Sequence, residues 1–341
     1  MRDRLKVAVM AAFAVGIFQA GVASADSVAD FYKGKTVTVV VGVSAGGLYS
    51  TYAQMMAPHF ARHIPGSPTV IVKHMTGAGG ISAMNWVYDA APKDGTVVVT
   101  PTSALNKRAA MGYPGIRWDP RKFHWIGGWS EAVNDCSVLN TAPATTIEQA
   151  RKTELMMGAF NKASNPYTNA MVINNIVGTK FKIITGYKGG AKVRLAIEKG
   201  ELHGWCGQYL GWKTRKPEWL RTGKIVHLVQ LASKRSPDMP NVPLLSEFAK
   251  TDEEREMLVF VQSSPDDRAM GVPPGVPADR VAALEKAYQA TLRDPAFLAD
   301  AKKLKLQIDP IPAKEIQDFE ERIMKMKPEM IARLKKAMGA K

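Results

Sequence analysis

The stretch Thr36-Val37-Thr38-Val39-Val40-Val41-Gly42-Val43-Ser44-Ala45-Gly46-Gly47 decides how the chain is read. Residues 36–41 are an uncharged, β-branched run, the composition of a strand buried on both faces rather than one. Glycines at 42, 46 and 47 end the run. Residues 51–63 then resume at helical spacing, apolar at Tyr52, Met55, Met56, Phe60 and Ala61. The unit is strand, glycine-rich loop, helix, and it recurs: a strand at 69–73, the loop Gly77-Ala78-Gly79-Gly80, a helix at 81–90, the turn Asp94-Gly95 and an apolar run at 96–100. Repeated β-loop-α units predict an α/β fold built on a mostly parallel sheet.

From Phe123 onward the apolar segments shorten. A helix is expected at 147–152, a strand at 155–159, a polar loop at 161–165, a helix at 168–177, a strand at 182–185, a loop at 187–190, a helix at 193–199 and strands at 202–206 and 225–231. Residues 264–279, rich in Pro and Asp, read as a loop. The helical stretches 278–292, 295–303 and 313–338 that follow have no sheet of their own and are assigned to the first lobe.

The first 25 residues carry an address. Arg2, Arg4 and Lys6 precede the apolar stretch 7–18, and Ala23-Ser24-Ala25 offers small residues for cleavage after Ala25. That apolar stretch falls well short of the roughly 20 residues a spanning helix needs, so export rather than anchoring is expected. The remaining 316 residues exceed the roughly 250–300 at which a single core stops growing, so two lobes are expected. The division is 1–25 leader, 26–128 with 263–341 as a discontinuous lobe I, and 129–262 as lobe II. Losing Arg2, Asp3, Arg4 and Lys6 takes two units from the net charge of +15 and leaves +13, a field that favours anionic partners. Export, and the lack of an interleaved aromatic and basic patch, exclude nucleic acid. Cys136 and Cys206 are free to pair after export or to stay as two buried thiols; neither sits in a CxxC or beside a His, so no metal, redox site or other cofactor is expected.

Gly42-Val43-Ser44-Ala45-Gly46 matches GxSxG, the nucleophile elbow of a serine hydrolase. The hydrolase reading fails on context, because the elbow follows the first strand of the mature chain, no HGGG-like segment exists, and none of the six histidines lies late in the chain, where that triad order needs one. The alternative for the two glycine loops is anion capture. Backbone N–H groups at a helix N-terminus carry a positive partial charge, and glycines let a carboxylate come close. Two such loops on neighbouring strands would meet at the carboxyl ends of the sheet, where open α/β sheets bind ligands. Neither is a Walker A loop or a GxGxxG, which disfavours a nucleotide.

Further motifs fall in order along the chain: Ala91-Pro92-Lys93-Asp94-Gly95, Tyr187-Lys188-Gly189, Arg235-Ser236-Pro237, Pro240-Asn241-Val242-Pro243 and Val272-Pro273-Pro274-Gly275-Val276-Pro277. With the two glycine loops they resemble the tripartite tricarboxylate transporter receptors, also called Bug proteins, over essentially the whole mature chain. The resemblance implies a type II periplasmic-binding-protein fold, two α/β lobes joined by hinge strands with a ligand cleft between them. It implies a periplasmic, non-enzymatic protein that captures a small organic carboxylate for membrane transporter subunits; a di- or tricarboxylate or an aromatic acid is the expected ligand and a monomer the expected state. A subunit presenting the ligand to a membrane sensor kinase is the alternative within binding proteins, and a serine hydrolase using Ser44 the alternative outside them.

Carried over by position, the ligand loops fall on Ser44, Ala45, Gly46, Gly47, Tyr49 and Ser50 and on Gly77, Ala78, Gly79 and Gly80. The second lobe would add Asn161, Ser164, Asn165 and Thr168, and Tyr187 and Gly189. Two departures matter. Ser50 stands where many relatives have Asp, which makes an amino-acid ligand less expected. Gly200-Glu201-Leu202-His203 replaces the family's Gly-x-Val-Asp strand. Downstream, Trp205, Gln208, Tyr209 and Trp212 form an aromatic stretch open to two readings, packing within the lobe or a wall against a bulky carboxylate.

Overall fold

The computed structural model describes residues 27–339 apart from 47, 103, 104, 163 and 263, so the leader lies outside the described residues. Ten strands, numbered in chain order, occur among them: β1 (Thr36–Val41), β2 (Thr69–His74), β3 (Val97–Thr100), β4 (His124–Gly128), β5 (Asn134–Leu139), β6 (Leu155–Gly158), β7 (Phe181–Ile184), β8 (Gly204–Gln208), β9 (Ile225–Leu231) and β10 (Ala269–Val272). No helix among the described residues is long and apolar enough to cross a membrane. The chain divides into two compact units, the first reaching Ser130 and resuming over Arg268–Glu320, the second comprising Glu131–Asp267 and the residues from Glu321.

In the first unit the sheet runs β2-β1-β3-β10-β4. Strands β2, β1 and β3 are parallel, and β10 lies antiparallel between β3 and β4. The valine run is buried on both faces. Val39 and Val41 pack with Tyr52, Met56 and Phe60 of helix Leu48–His63 and with Leu284 and Tyr288 of helix Ala278–Arg293, while Val40 packs with Ala83, Met84 and Val87 of helix Ile81–Asp89. Val37, Val39, Val40 and Val41 are all fully buried, each contributing about 1.5–3 kcal/mol of apolar transfer. That two-sided burial is why residues 39–41 are continuous valine rather than alternating.

The second unit repeats the plan, with order β7-β6-β8-β5-β9. Strands β7, β6 and β8 are parallel and β5 is antiparallel to β8 and β9. The antiparallel strand of each sheet is the one the chain enters just after passing from the other unit, β5 after Ser130 and β10 after Asp267.

Three expectations are corrected. Residues 264–279 are not all loop, since they contain β10, whose four residues Ala-Met-Gly-Val are too short and too small for a sequence signal yet fully buried. Asp252–Val261 is a helix capped by the Thr251 hydroxyl, which accepts from Glu254 N. The last helix is two. Lys327 is extended (φ −65°, ψ 142°) and Pro328 begins a new helix, Pro328–Ala337, because proline has no N–H to give to the preceding turn. This final helix belongs to the second unit rather than the first. Arg333 pairs with Glu253, Asn175 Nδ2 donates to Ala337 O at 2.8 Å, and Ala337 joins the core of Ala170, Val172 and Leu258.

The cysteines, left open above, are bonded. Cys136 on β5 stands directly opposite Cys206 on β8 with Cα atoms 4.0 Å apart, both side chains fully buried. The bond closes a segment with a sequence separation of 70, for which chain entropy gives roughly 4 kcal/mol. The double variant Cys136→Ala/Cys206→Ala is expected to unfold about 2–4 kcal/mol more easily in a denaturant titration. The oxidised protein is expected to titrate no thiol in denaturant until reductant is added.

Candidate functional site

Strands β1 and β2 are parallel and in register to their last residues, Val41 opposite His74, so their loops leave the same edge of the sheet. Met75 N donates to Val41 O at 2.9 Å and carries the pairing one residue further. Beyond it the loops touch. A Cβ placed on Gly42 would lie 2.9 Å from Gly80 Cα, so only hydrogen fits there. The second loop coils tightly. Gly77, Ala78, Gly79 and Gly80 all have positive φ, and Gly80 N closes a turn onto Gly77 O at 2.9 Å. Gly80, at φ 102°, is the N-cap of helix Ile81–Asp89. Thr102 Oγ1, from the segment after β3, donates to Gly79 O at 3.2 Å and ties a third loop to the same edge.

Ser44, Ala45, Gly46, Gly77, Ala78 and Gly79 are exposed there, Tyr49 is half-buried, and Gly80 and Ser50 are buried; Gly47 lies outside the described residues. Ser50 is fully buried with its Oγ 2.8 Å from His74 Nε2. His74 therefore serves Ser50 and not Ser44. Its position as the last residue of β2, opposite the end of β1, was the signal in the sequence that could have found it. The edge thus offers main-chain amides and small side chains. Such a surface holds an anion by neutral dipoles and needs no buried counter-charge. Among the described residues, no group of three His, Cys, Asp or Glu is placed to hold a metal.

In the second unit, Ser164 Oγ donates to Asn161 O at 2.6 Å and Thr168 Oγ1 to Asn165 O at 3.3 Å, so these side chains fold the turn entering helix Asn165–Val172. Gly189, at φ 111°, is the N-cap of helix Gly190–Glu198, and Tyr187 before it is half-buried, with burial and then Glu201 pushing its hydroxyl pKa up. Gln208 ends β8 opposite Asn134 and is half-buried. Trp205 is 4% exposed, in a cluster with Val193, Ile197, Leu202 and Trp212. Its ring lies at 90° to Trp212, and Trp212 Nε1 donates to Ser137 Oγ at 2.8 Å. Tyr209 sits edge-on to His227, whose Nδ1 is 2.7 Å from Asp135 Oδ2; burial, then Asp238 and Asp135, push the Tyr209 hydroxyl up to about 12. The aromatic stretch is thus packed inside its own unit, the first of the two readings given above. His203, where the family pattern has Asp, accepts from Met156 N at 3.0 Å through Nδ1, and burial lowers its pKa, which keeps that nitrogen an acceptor. Arg194, which sequence reasoning passed over as one more helical cation, stands over the Trp205 ring with its guanidinium carbon 5.7 Å from the ring centre.

Two α/β units, each a five-stranded sheet whose fourth strand is antiparallel, define a two-lobed solute-binding protein. The chain is similar to a TctC solute-binding protein from Polaromonas (TM-score 0.70, 18% identity, 90% of this chain and 99% of that one). It is similar as well to a protein of R. palustris solved with adipate (TM-score 0.64, 20% identity, 89% and 97%) and to MatC from Rhodopseudomonas palustris with bound malate (TM-score 0.61, 22% identity, 89% and 99%). The tripartite tricarboxylate transporter family receptor profile matches residues 56–335, and the chain belongs to that family.

The contact between the two glycine loops is testable by itself. Gly42→Ala drives a methyl into Gly80 and is expected to cost about 1–3 kcal/mol. Gly46→Ala, at φ 86° but with nothing within 4 Å of its Cβ position, is expected to cost about 1 kcal/mol from backbone conformation alone. Calorimetric unfolding of the two variants should rank them in that order.

Proposed function

We propose that this protein is a periplasmic receptor that captures a small organic carboxylate and delivers it to the membrane subunits of a tripartite transporter, without chemistry of its own. The observation that carries the reading is the meeting of Gly42 with Gly80 at the carboxyl ends of β1 and β2. One carboxylate group is held there by main-chain amides around Ser44, Ala45, Gly46, Tyr49 and Gly77 to Gly80. Asn161, Ser164, Asn165, Thr168, Tyr187, Gly189 and Gln208 contribute further contacts to the solute. Adipate and malate in the two R. palustris structures support a dicarboxylate class. Ser50, bonded to His74, supplies no carboxylate to meet an amino group, which favours a simple acid over an amino acid.

The test is a thermal-shift screen of refolded, ligand-free protein against adipate, malate, citrate, hexanoate and benzoate. A ligand of the native state stabilises by RT ln(1 + [L]/Kd), about 2.7 kcal/mol at a hundredfold excess over Kd, so a selective rise in melting temperature is expected. A flat response, together with turnover of an activated ester that Ser44→Ala abolishes, would overturn the reading in favour of a hydrolase.

A further inference from the structure

Arg194 is half-buried on helix Gly190–Glu198, and among the described residues no carboxylate is paired with it. Burial and then the like charge of Arg215 push its pKa below the ordinary guanidinium value. The guanidinium lies back over the first turn of its own helix, 3.2 Å from where a Gly190 Cβ would be, at the end whose partial charge is also positive. An isolated cation gains nothing from that position, but an anion resting on the guanidinium would be attracted by both.

The space is cleared by glycine. A Cβ on Gly211 would fall 2.7 Å from Arg194 Nη1, one on Gly190 2.8 Å from the Trp205 ring, and one on Gly207 2.5 Å from the same ring. Three glycines thus let the indole and the guanidinium pack close against backbone. The guanidinium sits over the Trp205 ring at cation–π distance with Nη1 close to Gly190 and Gly211, and a guanidinium carries the planar, bidentate donor set that a carboxylate accepts. The Trp205 Nε1–H is buried without a hydrogen-bond partner.

We infer that Arg194, laid on Trp205 and framed by Gly190, Gly207 and Gly211, is a carboxylate-binding group of the second unit. This rests on the receptor reading only in taking the acid to be the transported solute; the group itself follows from the second unit alone. The carboxylate is either the far end of a dicarboxylate solute or a separate small acid, and one experiment distinguishes them.

Isothermal titration of the wild type, Arg194→Gln and Arg194→Lys with adipate and with hexanoate, which has the same chain length and one carboxylate fewer, gives the answer. A loss of tenfold or more in adipate affinity in Arg194→Gln, smaller in Arg194→Lys and absent for hexanoate, would show that Arg194 takes the far carboxylate. A second binding event, present for both acids in the wild type and missing in Arg194→Gln, would show a separate acid. Equal affinities of wild type and Arg194→Gln for both acids would overturn the assignment, since a purely packing role moves the melting temperature and not the difference between mono- and dianion. Should neither acid bind the wild type, the dicarboxylate reading fails and crystals soaked in bromide decide Arg194 independently. Anomalous density at its guanidinium that Arg194→Gln abolishes supports the site, and its absence from the wild type rejects it.

Discussion

The contact on which the candidate site depends is one where a side chain is forbidden. Strands β1 and β2 end level, Val41 beside His74, and two chains leaving adjacent parallel strands can close on each other only if neither carries bulk at the point of exit. Gly42 against Gly80 meets that condition. With the loops in contact, Thr102 reaches Gly79 from the strand on the other side and His74 fixes Ser50 beneath. The edge becomes a surface of backbone, and backbone dipoles fixed in this way are already oriented for an anion and lose nothing to solvent reorganisation. A lysine or aspartate at the same spot would bring a charge whose desolvation costs several kcal/mol and would have to be repaid by the ligand alone.

The second unit reuses the sheet plan and stiffens it differently. In the first unit the antiparallel strand β10 is four small residues held among aromatic and aliphatic neighbours, and Trp129, at the end of the β4 segment, stacks on Tyr52 and donates to Met56 Sδ at 3.3 Å. In the second, the corresponding strand β5 is bonded covalently to β8 through Cys136 and Cys206. The residues between them include β6, β7 and the helices joining them, so the bond shortens the loops that the non-local β5–β8 and β5–β9 pairings have to close. An exported chain can use such a bond, whereas one retained in a reducing compartment cannot.

How far the sequence discloses this depends on the length scale of each signal. The valine run and the two glycine loops are local, and they place β1, β2 and the candidate edge correctly. The antiparallel β10 is invisible because four residues containing a glycine carry no period, and its strand character comes entirely from its neighbours. The break at Pro328 was legible in the residue itself, yet the amphipathic spacing on either side reads as one helix, and nothing local says that the second half joins Glu253 and Asn175. The Cys136–Cys206 bond needed the register of two strands 70 positions apart. Arg194 was hidden for a different reason. In sequence it is one of 46 basic residues, and what sets it apart is its half-buried place over the Trp205 ring, a property of the fold and not of the segment.

The two proposed ways of holding a carboxylate are not redundant. Backbone amides of the kind proposed for the β1–β2 edge recognise a carboxylate group and are indifferent to what it is attached to, which suits solved relatives that hold acids as different as adipate and malate. A fixed guanidinium counts charge. In the half-buried setting of Arg194 each additional negative charge on the solute is paired rather than stranded, and an uncharged end in the same place would leave the guanidinium as unpaired as it is now. Selectivity between acids of similar shape then follows from one residue whose cost to the empty protein is already present, as a cation lying against the positive end of its own helix.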